Sequence, residues 1–150
     1  MPAGAFKVYG SAAEAIAKGT IDLDTNTFRM VLVTATHTPN QATHSTWADM
    51  SADEAVGTGY TASGKLLTCT VNRSALVVTF DCDDQSWAAS TITAKYAVIV
   101  KDADANGTIA STDAFLAYCD LETGGGSLST TAGTFAITIN ASGVFTVTAS

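Results

Sequence analysis

The residues best able to do chemistry lie in one short run that contains Asp102, Asp104, Asn106, Gly107, Ile109 and Asp113. Counted from Asp102, oxygen ligands fall at the first, third and fifth positions, glycine at the sixth, an apolar residue at the eighth and a carboxylate at the twelfth. A calcium loop needs that order, because alternate side chains wrap one hard cation while glycine permits the sharp turn. The local likeness is to EF-hand and dockerin loops, and it makes Asp102, Asp104, Asn106 and Asp113 the candidate ligands. The flanks read as strands rather than helices, and the closing ligand is Asp where Glu is usual. The same run also has the composition of a solvated hairpin loop, since Asp, Asn and Gly form turns readily.

Other reactive groups are sparse. His37 and His44 lie in one polar stretch, with no Cys or carboxylate at a familiar zinc spacing. Cys69, Cys82 and Cys119 are odd in number and contain no C-x-x-C pair, so each is read as a free thiol acting as a small hydrophobe. Asp81, Asp83 and Asp84 could supply paired carboxylates for glycoside hydrolysis, although their closeness suits turn capping better. Trp47 and Trp87 are either binding platforms or core plugs. No Gly-rich phosphate loop and no Gly-x-Ser-x-Gly elbow occurs. Catalysis is therefore not expected.

The elements that would position these groups are mostly strands. A chain of 150 residues with 47% apolar and 14% charged content can close a core as one domain spanning 1–150. The net charge of −7 disfavours nucleic acid and anionic membrane as partners. No secretory signal is read at Met1-Pro2-Ala3-Gly4 and no bilayer-spanning run is present, which points to assembly in a cytoplasm.

Alternation predicts strands at 5–9, 27–35, 65–71, 75–80, 91–101 and 114–121. A last pair is expected to join Phe135, Ile137 and Ile139 to Phe145 and Val147. A capping box at Ser11 and Glu14 predicts one short helix near the N-terminus, closed by Gly19. Phe28, Met30 and Leu32 on one face of 27–35, with Val31 and Val33 on the other, predict a central strand covered on both sides. Asn72, Arg73 and Ser74 are read as a hairpin turn, and 81–89 as a polar corner anchored by Trp87. The expected fold is all-β, an antiparallel β-sandwich or jelly roll. Leu32, Val78, Phe80, Val98, Ile137 and Phe145 are expected inside. The polar segment 36–59 is long for a plain connection, and His37, Pro39, Asn40 and Trp47 within it are the candidate interface residues.

Several blocks carry a resemblance. Phe28–Asn40, Ser51–Thr61, Gly64–Thr68, Val78–Asp81 with Asp83 and Asp84, and Trp87–Asp102 are similar, in the same order, to a family of small β-rich virion proteins of tailed bacteriophages. The likeness spans most of residues 20–148. It implies a capsid decoration (cement) protein that sits on the major capsid protein shell as a homo-oligomer, assembled in the host cytoplasm and located in the phage head. It implies no active site, and it lends the calcium-like loop no support, since that loop falls where the relatives carry a variable hairpin. A tail or tail-fibre component is the alternative from the same resemblance, and a carbohydrate-binding module is a third possibility.

Overall fold

The strands with apolar residues on both faces lie where that pattern requires, in the middle of a sheet. The structure is a computed structural model that describes residues 4–150. Met1, Pro2 and Ala3, which include most of the stretch searched for a signal, lie outside the described residues. In chain order the elements are β1 (Lys7–Val8), α1 (Gly10–Ala17), β2 (Thr27–Val33), β3 (Lys65–Leu67), β4 (Cys69–Ser74), β5 (Val77–Cys82), β6 (Gln85–Ser90), β7 (Thr93–Ala94), β8 (Tyr96–Asp102), β9 (Phe115–Asp120), β10 (Leu128–Ser129), β11 (Gly133–Ile137) and β12 (Phe145–Thr148). The fold is an all-β antiparallel sandwich with one short helix near the N-terminus.

The main sheet runs β1-β9-β8-β2-β3. Register fixes its two faces. Phe28, Met30 and Leu32 lie beside Lys101, Ile99 and Ala97 on one face, and Arg29, Val31 and Val33 lie beside Val100, Val98 and Tyr96 on the other. The first face meets a three-stranded sheet, β12-β5-β4, where the Phe28 and Phe80 rings meet edge-on at 5.5 Å. The second is covered largely by the chain between β2 and β3, through Arg29, which donates to the carbonyls of Ser63 and Gly64. Gly64 is required there. Its φ is +61°, and a Cβ would sit 1.8 Å from the Met30 carbonyl oxygen. A two-stranded ribbon, β11-β6, extends the body and buries Trp87 against Phe135 at 6.1 Å. Trp87 is thus a core plug.

Several sequence expectations are corrected. The helix begins at Gly10, and its N-cap, Tyr9, makes no side-chain capping bond. Ser11 instead donates to the His44 carbonyl, tying the helix start to a distant loop. The β4–β5 hairpin turns at Ala75 and Leu76, three residues beyond the start of the expected turn, with Ala75 at φ +51°. Residues 85–90, expected as a polar corner, form β6. The last two strands do not pair with each other: β11 joins β6, and β12 joins β5. The Asn140–Gly143 turn does form, but Val144 N then donates to Phe80 O, and the chain passes to the other sheet. Leu32, Phe80, Val98 and Ile137 are buried as expected. Val78 and Phe145 are only half-buried.

The largest correction concerns the cysteines. Cys69 and Cys82 stand opposite each other across β4 and β5 and are joined by a disulfide. No spacing motif announces this pair; only the hairpin register places them together. The free-thiol support for a reducing compartment therefore rests on Cys119 alone. That thiol is buried in β9, and burial pushes its pKa up to about 12, which keeps it protonated and unreactive at neutral pH.

A bond closing a loop of sequence separation 13 is expected to stabilise the fold by about 2–3 kcal/mol. The Cys69→Ser/Cys82→Ser double variant should lose that amount in urea denaturation. Wild type should titrate a single thiol, and only after unfolding.

Candidate functional site

The segment 36–59, expected to be a contact arm, is instead stitched into the body. Trp47 N donates to Asp113 O, Ala48 N to Ser111 O, and Phe115 N to Ser45 O. At its far end Ala55 N donates to Leu32 O. Two short 3-10 turns, Trp47–Asp49 and Ser51–Asp53, lie near its middle. Asp49 accepts from Ser45 N and Thr46 N, and those bonds, with His44 and His37 nearby, hold its carboxyl below the usual range.

This packing reverses two interface expectations. Trp47 is only 5% exposed and meets Phe115 edge-on at 6.4 Å inside its own chain. A large apolar ring this close to the main sheet gains more by completing the local core than by waiting for a partner. His37 is buried as well. Its Nδ1 donates to the Asp53 carboxylate at 3.1 Å, and its ring lies 5.0 Å from that of His44. Pro39 is half-buried. Asn40 is exposed, and its side-chain oxygen accepts from Ala42 N and Thr43 N, closing a turn. His44 Nδ1 accepts from Asn40 N. The two histidines hold a loop together.

The calcium-like loop keeps the expected order of residues, but its carboxylates turn toward backbone. Both Asp102 oxygens accept, from Asn106 N at 3.3 Å and Gly107 N at 3.0 Å. Asp113 accepts from Ala103 N and Ala110 N. Asn106 closes its own small turn onto Thr108 N, while Asp104 is exposed. Among the described residues, no three His, Cys, Asp or Glu side chains converge on a point suited to a metal ion. Asp102 and Asp113 are both buried.

The acidic trio before Trp87 behaves similarly. Asp83 accepts from Thr68 N, between β3 and β4, and Asp84 from Ile139 N, just after β11, so the two pin the β5–β6 connection to its neighbours. A further polar hub escaped notice in the sequence. Glu54 Oε1 accepts from Tyr60 Oη at 2.8 Å and Ser63 N at 2.7 Å, and Tyr60 Oη accepts from Leu32 N. Ser63 Oγ accepts from Ile109 N, which links this hub to the calcium-like loop. Burial pushes the Glu54 carboxyl above its usual range, against the lowering effect of its two hydrogen bonds.

What remains free is apolar. Val56, Leu66, Leu76 and Val147 are large hydrophobic residues left in solvent, at 84%, 57%, 63% and 56% exposure. Leu76 and Val147 lie close together at one end of the three-stranded sheet, where Ala149 N donates to Leu76 O and Val147 pairs with Val78. Arg73 pairs with Val78 from the other side. A single exposed Leu in a sequence carries no signal; only the pairing of β12 with β5 brings this pair together. No family model, curated protein or solved structure matches the chain.

Two predictions follow from these networks. Asp102→Ala leaves Asn106 N and Gly107 N without their buried acceptor, and should cost about 2–3 kcal/mol by urea denaturation, with or without calcium. Glu54→Gln keeps an acceptor for Tyr60 and Ser63 but cannot ionise. Because the folded-state pKa of Glu54 is raised, its stabilising contribution is greatest in acid and is lost as pH rises through the folded value. The stability of Glu54→Gln relative to wild type should therefore increase from acid toward neutral pH, then level off. Glu54→Ala should be less stable than both.

Proposed function

We propose that this chain is a structural protein of a tailed-phage particle, specifically a decoration (cement) protein that docks on the assembled major capsid protein shell as a homo-oligomer. The observation that carries the proposal is the exposed apolar end of the β12-β5-β4 sheet. Leu76, at the turn of the β4–β5 hairpin that the Cys69–Cys82 bond closes, and Val147, on the adjoining β12, stand in solvent there. A stiff element presenting an uncharged apolar tip binds with little ordering cost. The resemblance supports the same reading: its blocks run along β2, β3, β5, β6 and β8, the strands that build the body behind this tip. Repeating one weak patch around a symmetric oligomer multiplies its effect through effective concentration. Contacts of this kind should also survive salt better than charge-driven ones.

The test is an add-back experiment on particles stripped of the protein. Wild type should reoccupy assembled heads, but not free capsid monomers, and should restore resistance to heat. Leu76→Asp and Val147→Asp, both at solvent positions, should fold within about 0.5 kcal/mol of wild type yet bind about ten-fold or more weakly. Trp47→Ala is not a useful probe of docking, because emptying that core site costs about 3–5 kcal/mol of fold stability. Failure of wild type to bind stripped heads overturns the proposal, and binding confined to tails replaces it with the tail reading.

A further inference from the structure

We infer that the chain carries a saccharide-binding cleft, independent of the docking tip, on the face of the main sheet near the start of β1. Strand register builds it. Lys7 on β1 pairs with Tyr118 on β9, and Tyr96 on β8 pairs with Asp120 on β9, so these four side chains share one face, with Tyr118 as its buried floor. Thr38 and Pro39 wall one side and Thr123 another, enclosing about 340 Å³. That space suits one sugar ring and its substituents, at the small end of ligand sites.

The chemistry of the lining selects the ligand. Tyr96 is half-buried and presents the accessible ring, with the Lys95 ammonium 5.7 Å from its centroid, while Tyr118 is only 9% exposed and packs edge-on beneath it at 6.4 Å. Such amphipathic rings suit a ligand with one C–H face and a polar edge. Tyr118 is fixed from behind by Tyr9, whose ring centroid lies 5.0 Å away. Lys95 donates to Asp120 Oδ1 at 2.9 Å and to the Glu122 carbonyl, which fixes the Asp120 carboxylate while its other oxygen remains able to accept. The Lys7 ammonium and the hydroxyls of Thr38 and Thr123 supply donors. Donors and acceptors around aromatic rings match a polyhydroxylated ring. The chain's net charge of −7 and the carboxylate in the cleft favour a neutral sugar over an acidic one. A proline-rich peptide also docks on aromatic rings, but it needs an elongated groove rather than a short cleft.

Neither Trp47 nor Trp87, the aromatic residues the sequence offers most readily as sugar platforms, can serve, because both are buried. Tyr96, half-buried at the end of the sheet, takes that role, and the buried Tyr118 forms the floor beneath it.

The experiment is an NMR titration of the full chain with the methyl glycosides of glucose, galactose, mannose and N-acetylglucosamine, with decaproline as a parallel arm. At least one glycoside should shift amide signals of Thr38, Tyr96, Tyr118 and Asp120 in a saturable way at millimolar concentration. Tyr96→Ala should weaken that binding about ten-fold, and Leu76→Asp should leave it unchanged. The wild-type titration decides the matter even if Tyr96→Ala folds poorly. Absence of saturable shifts with all four sugars, shifts located elsewhere, or a response to decaproline alone overturns the inference.

Discussion

The structure depends on one constraint: the central strands of the main sheet are apolar on both faces, so both faces must be covered. Met30, Val31, Leu32 and Val33 run consecutively in β2 and all are buried, as are Ala97 to Val100 in β8 and Phe115 to Cys119 in β9. A single-layer sheet would leave half of these in water at a cost of about 1.5–3 kcal/mol for each large side chain. One cover is the β12-β5-β4 sheet, seated by Phe80 on Phe28. The other is the connection between β2 and β3, which therefore behaves as part of the core. The length of that connection reflects the area it shields. Its aromatic and imidazole side chains point inward for the same reason.

The surplus of acid over base has a structural use. Chain folded into irregular covers leaves backbone N–H groups without ladder partners, and each one buried must find an acceptor. Asp49, Glu54, Asp83, Asp84, Asp102 and Asp113 supply those acceptors in the connections between elements. A carboxylate is well suited to this because it accepts through two oxygens, and charge-assisted bonds are stronger than neutral ones. The same short-range pattern of Asp, Asn and Gly that resembles a metal loop at 102–113 is what a self-closing turn requires. Composition alone does not separate the two uses; the direction in which Asp102 and Asp113 face does.

Features encoded locally were legible in the sequence. The double-sided apolar pattern of β2 predicted its central place, the alternation in β8 and β9 predicted those strands, and the short Ala-rich helix appeared within a residue or two. Features encoded by register were not. The Cys69–Cys82 pairing, the partnering of β11 with β6 and of β12 with β5, and the grouping of Lys7, Tyr96, Tyr118 and Asp120 all depend on which strands align. A strand's own residues carry little information about its neighbour. Trp47 misled for a related reason. A tryptophan in a polar stretch looks exposed until the stretch is seen to fold back over the sheet.

The three-stranded sheet shows how the chain can present apolar surface without inviting uncontrolled association. Among the described residues, neither outer strand, β4 or β12, has a ladder partner on its outer edge, the feature most prone to edge-to-edge aggregation. Its outer face is polar where Thr146, Thr79 and Asn72 align across the three strands. Its β4 edge carries Asn72, Arg73 and Ser74, and a charged side chain on an edge opposes extension of the sheet by another copy. The exposed apolar residues are therefore confined to the end, beside the tight turn at Ala75. There the apolar patch sits beside Arg73, which pairs with Val78. The Cys69–Cys82 bond closes the far end of the hairpin behind that turn, so the patch rests on a stiff support.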